Sequence, residues 1–107
     1  MAVTLEESEA LSLIRLQGAI DIGCAAELKK LLLQALGSGR EVRVAQQGAT
    51  DLDVTAVQLL WAAAREAKGA GVKFSLTGPA SKEISAALGE AGLQQFMVPV
   101  TPDEQAR

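Results

Sequence analysis

The chain has 107 residues, is nearly half apolar, carries a net charge of −3 and contains no histidine and one cysteine. That length suits one domain with a real core. The absence of histidine and the single Cys24 exclude an internal disulfide, a His/Cys zinc site and the commonest general acid/base. Without a run of Lys or Arg, and with aromatics limited to Trp61, Phe74 and Phe96, the chain also lacks the charge footprint and stacking platform of a nucleic-acid binder.

Taken in chain order, short apolar and alternating stretches at 3–6 and 11–16, separated by Glu7, Ser8 and Glu9, predict two strands joined by a turn. Gly18 is expected to end the second. From 24 to 36 the apolar residues Leu28, Leu31, Leu32, Ala35 and Leu36 recur at three- and four-residue steps, which predicts an amphipathic helix stopped by Gly37 and Gly39. Val42 and Val44 flank Arg43 in a brief predicted strand, and Gln46, Gln47 and Gly48 then loosen the pattern.

A second helix is predicted over 55–68, with Asp53 as its N-cap and Lys68, Gly69 and Gly71 at its end, the polarity that a helix and its dipole favour. Val72, Phe74 and Leu76 alternate with Lys73, Ser75 and Thr77 in a third clear strand closed by Gly78 and Pro79. A last helix follows. Ser81 is its expected cap, Ile84, Ala87, Leu88 and Ala91 form its buried stripe, and Gly92 ends it. The expected domain spans 1–101, followed by a frayed tail at 102–107.

Strands that alternate with helices predict an α/β fold: a mixed, largely parallel sheet of four to five strands covered by helices, opening on an antiparallel hairpin. No apolar stretch reaches the roughly 18 residues needed to cross a bilayer. With no basic segment leading into a long apolar run at the start, the expected location is cytoplasmic.

Within this frame, Leu16-Gln17-Gly18-Ala19-Ile20-Asp21 and, one helix and one strand later, Asp53-Val54-Thr55-Ala56-Val57-Gln58-Leu59-Leu60 resemble the two signatures of STAS domains. Leu76-Thr77-Gly78 and Ala91-Gly92-Leu93 before Phe96 extend the resemblance over residues 11–97. The chain is thus similar to the bacterial anti-sigma factor antagonists, which implies a non-catalytic module of signal transduction and transcription regulation. Its partner would be an anti-sigma factor that is itself a serine kinase, or another signalling protein. In that family the hydroxyl residue after the Asp is phosphorylated, and unmodified antagonist binds the kinase. Here that position is Val54, the family's usual Gly is Ala56, and Thr55 is the hydroxyl left at the helix start, which makes Thr55 the phosphorylation candidate. The small STAS subunits of lipid-transporting ABC complexes are a second similar group, with an ABC ATPase as partner and no need of a hydroxyl; a scaffold role in a signalling assembly is a third.

The expected partner-binding residues are Asp21, Asp53, Val54, Thr55, Gln58, Trp61 and Arg65. At about 100° per residue, Leu60, Ala63, Ala64 and Ala67 point to the core, while Val54, Gln58, Trp61 and Arg65 gather on the other side. Trp61 beside Arg65 has the composition of an interface centre, and half-burial against the sheet is the other reading of the same tryptophan. Asp53 reads as a simple cap or as a group that orients a partner, Asp21 as an Asx turn or part of the docking loop, and Thr55 as a locally bonded first-turn residue or a phosphosite. Cys24, at a helix start, reads as a small packed filler or an activated thiol. Asp51 and Asp53 do not complete a receiver-type acidic pocket, because Thr77-Gly78-Pro79 stands where such a site places its lysine. No catalytic residue, cofactor or metal is expected, and no glycine-rich phosphate loop is present.

Overall fold

The computed structural model describes residues 2–78, 82–93 and the backbone of 97–98. Pro79, Ser81, Phe96 and the tail from 102 to 107, to which the sequence assigns roles, lie outside the described residues. The strands are β1 (Val3–Glu7), β2 (Leu11–Ile20), β3 (Glu41–Leu52), β4 (Phe74–Thr77) and β5 (Met97–Val98), and the helices are α1 (Ala25–Gly37), α2 (Val54–Ala70) and α3 (Lys82–Glu90). A 3-10 turn, Ile22–Cys24, leads into α1. The strands form one sheet in the order β1-β2-β3-β4-β5. The β1/β2 hairpin is antiparallel and every later pairing is parallel, the mixed α/β architecture expected from the sequence.

Period-two patterning in the strands meets period-3.6 patterning in the helices at one core. Ile14 and Leu16 of β2, Val42 and Val44 of β3 and Phe74 and Leu76 of β4 are buried with Leu28 and Leu32 of α1 and Leu60 of α2. Ala56, Ala63, Ala64 and Ala67 are also buried along α2, and their small side chains let this helix lie close to the sheet. The buried Ser12 is not left unpaired: its hydroxyl meets that of Ser38 at 3.3 Å, and Ser38 in turn donates to the Ala35 carbonyl at 2.7 Å.

Four local expectations require correction. β2 does not stop at Gly18; it runs to Ile20, with Gly18 at φ 74 next to a register shift between Gly18 and Ala19. The strand around Val42 is not brief, because β3 continues to Leu52. Its pairing slips by one residue between Arg15/Ala45 and Gln17/Gly48 and again between Gly18/Ala49 and Ala19/Asp51, and these two bulges disrupt the alternation that a sequence reading depends on. Gly69 lies inside α2, and it is Gly71, at φ 74, that ends the helix, with Val72 donating its N–H to the Ala67 carbonyl in the arrangement of a glycine C-cap. Ser75 does not face solvent as the alternation implies; it is buried, on a strand that lies between β3 and β5.

Gly48 sits at the first bulge, where a Cβ would stand 2.9 Å from the Leu16 backbone carbonyl oxygen. That obstacle is main chain and cannot rotate away. Gly48→Ala is therefore expected to lower the unfolding free energy by about 1–3 kcal/mol, measured by urea denaturation. A loss too small to resolve would mean that β2 and β3 can separate at the bulge without cost.

Candidate docking face at the strand ends

Because β2 and β3 are parallel neighbours with Ile20 opposite Leu52, the turns that leave them emerge side by side at the C-terminal edge of the sheet. This is the edge at which open α/β sheets present their binding groups. The Asp53 N–H donates to the Ile20 carbonyl at 2.9 Å and ties the two turns together. Both then turn on an aspartate. The Asp21 carboxylate accepts from the Gly23 N–H at 2.9 Å and starts the 3-10 turn, while the Asp53 carboxylate accepts from the Thr55 N–H at 3.0 Å as the N-cap of α2. The cap and Asx-turn geometries expected of the two residues are both present.

From this corner a strip of side chains climbs α2. Val54 is 70% exposed at the first helical position, Gln58 and Arg65 are exposed, and Thr55 is half-buried. Trp61 is 40% exposed. The Arg65 guanidinium carbon lies 4.8 Å from the centre of the Trp61 ring, a cation–π contact that holds both side chains against the helix surface. At about 1.5 Å per residue the strip is about 16 Å long. The structure thus gathers Asp21, Asp53, Val54 and Thr55 at the corner and aligns Gln58, Trp61 and Arg65 along the helix that leaves it.

Two contributions escaped the sequence reading. Ile22, in the turn beside the start of α2, is 73% exposed; a single apolar residue in a turn has no periodicity to mark it. The second is the end of α3 and the turn after it, where Ala87, Glu90 and Ala91 form one wall of a groove, with Val54, Gln58 and Trp61 on the other. Trp61 is therefore both a surface residue and the side of a cleft. Cys24 is half-buried against the core with its Sγ 3.9 Å from the Ala19 carbonyl oxygen, which suits a packing role.

Among the described residues no group of three His, Cys, Asp or Glu is placed to hold a metal ion, and no helix is long and apolar enough to cross a membrane.

The family model described as Mlab, STAS domain matches residues 3–99. No curated protein matches the sequence. Among solved structures, phosphorylated SpoIIAA, the Bacillus cell fate determinant, aligns with a TM-score of 0.78 and 21% identity over 98% of this chain and 96% of that one. An anti-sigma factor antagonist from Mycobacterium paratuberculosis gives 0.77 and 16% over 97% and 89%, and a variant of RsbS from Moorella thermoacetica gives 0.74 and 20% over 92% and 86%. At these identities the likeness is one of fold.

Proposed function

Since this chain belongs to the STAS domain family, in its Mlab branch, we propose that it is a non-catalytic interaction module that docks a protein partner through Asp21, Asp53, Val54, Thr55, Gln58, Trp61 and Arg65. The observation that carries this reading is the exposed apolar and cation–π strip of Val54, Trp61 and Arg65 rising from a corner that two capped turns hold rigid. Large apolar and aromatic side chains beside arginine, on a pre-organised support, are what interface hot spots consist of.

The partner is a signalling protein of the kinase-like anti-sigma type in the leading reading, which makes the module a cytoplasmic regulator of transcription in bacteria. An ABC ATPase is the second reading, favoured by one observation: Val54 occupies the position at which the antagonists carry their phosphoacceptor, and valine has no hydroxyl. A covalent switch at this helix start then has one acceptor, Thr55. Phosphopeptide mapping of protein from its native cells tests that assignment, and an unmodified Thr55 across growth conditions removes the switch while leaving the docking face intact.

The test of docking is a pull-down of the tagged chain from its native cells beside its Trp61→Ala variant, with mass-spectrometric identification of what is retained. The expected result is a kinase-like signalling protein or an ABC ATPase that the variant loses, and which of them appears decides between regulation and transport. A partner retained equally by both forms would place docking elsewhere.

A further inference from the structure

A second groove lies between α1 and α2, away from the docking strip. Its walls are Lys29, Leu33 and Leu36 of α1 and Leu59, Ala62 and Glu66 of α2, and Leu32 and Ala63 are buried at its base. Leu33 is 59% exposed on the α1 wall, an apolar side chain standing proud beside an apolar trough. On the α2 wheel these wall residues centre about 120° from the Val54–Trp61–Arg65 strip, so the two surfaces do not compete.

The charges on this groove have a definite arrangement. Each helix connects parallel neighbouring strands, so α1 and α2 run in the same direction. Lys29 lies in the first half of α1 and Glu66 in the last third of α2. The cation therefore sits on one wall near one end, and the anion on the other wall towards the opposite end. Both are exposed, and among the described residues neither has an ion-pair partner.

Such a surface is complementary to itself. A two-fold axis through the middle of the groove lays Lys29 of each copy over Glu66 of the other and sets each Leu33 into the opposite trough, as an isologous interface requires. A strongly acidic or strongly basic partner would meet one matched and one opposed charge. We propose that the α1–α2 groove is a self-association surface through which two copies of this chain pair about a two-fold axis, with both docking faces left free.

With about ten lining residues on each side the interface is small by the standard of stable complexes, so the pairing should be reversible with a dissociation constant in the micromolar range or weaker. The proposal is independent of the docking reading, because α1 contributes no residue to the docking strip.

Sedimentation velocity on the full chain, from about 1 μM to about 500 μM, tests it across that range. The expected result is a concentration-dependent shift from monomer to dimer. Leu33→Glu places a charge at the centre of the interface and should weaken pairing at least tenfold, about 1.4 kcal/mol; circular dichroism verifies that this exposed substitution leaves the fold unchanged. Lys29→Glu alone opposes two acidic residues and should also weaken pairing, and Lys29→Glu with Glu66→Lys should restore it. A chain that stays monomeric throughout, which would leave the groove to a different protein, overturns the proposal. So does a dimer indifferent to Leu33→Glu, or a double exchange that fails to recover what the single one lost.

Discussion

Val54→Glu is expected to weaken binding of the co-purified partner by about 30-fold or more, equivalent to about 2 kcal/mol, while the melting temperature holds or rises slightly. The two halves of this result have separate causes. Val54 is 70% exposed, so the change removes little buried area, and it is the first residue of α2, where a carboxylate is favoured by the helix dipole by about 0.3–1 kcal/mol. In the complex the same carboxylate would be desolvated at the corner where Asp21 and Asp53 already lie, and a charge buried without a partner at an interface costs several kcal/mol. Isothermal titration calorimetry beside a thermal melt separates the two effects. Native-like affinity in Val54→Glu would remove the corner from the docking face, whereas lost affinity with a lowered melting temperature would report damage to the fold.

Leu60→Ala is expected to give the opposite pattern to a surface change. Leu60 is buried in the core from the middle of α2, with Ala56, Ala63 and Ala64 buried on the same helix. Those alanines on its own helix are too small to fill the space that it leaves. Leucine truncation in such a site costs about 2–5 kcal/mol, against a total of about 5–15 kcal/mol for a domain. The urea midpoint should fall without a change in slope, and the melting temperature should drop by about 10 °C or more. A loss below about 1 kcal/mol would mean that α2 settles onto the sheet and closes the cavity. Leu60 and Trp61 are adjacent in sequence, yet one is buried and the other 40% exposed, because a step of about 100° carries the side chain from the core to the rim.

That division was legible in the sequence, since the spacing of Leu60, Ala63, Ala64 and Ala67 leaves Val54, Gln58, Trp61 and Arg65 on the outer side, where the structure has them. The caps were legible too: Asp53 and Gly71 each satisfy a local rule that acts within four residues. The extent of β3 was hidden, because its two bulges displace the side-chain alternation. Ile22 and the α3 wall of the cleft were hidden for a different reason. Their roles depend on which turns and helices become neighbours across the sheet, and no local pattern records that. Leu33 falls between these cases, since the wheel of α1 already leaves it off the Leu28–Leu32–Ala35 stripe and only the trough beside it gives its exposure a meaning.

The bond from the Asp53 N–H to the Ile20 carbonyl joins residues more than thirty positions apart, so the corner comes into being only when that long-range closure is complete. Non-local closures of this kind carry an entropic cost that must be met before their contacts form. A chain with its helices formed but β2 and β3 not yet paired would show a partner the separate components of the surface, never the surface itself. If the proposed partner docks at this corner, it would recognise completed folding, and by mass action a bound partner would withdraw native molecules from the unfolding equilibrium. The complex would then protect the module from proteolysis in proportion to how much partner the cell contains.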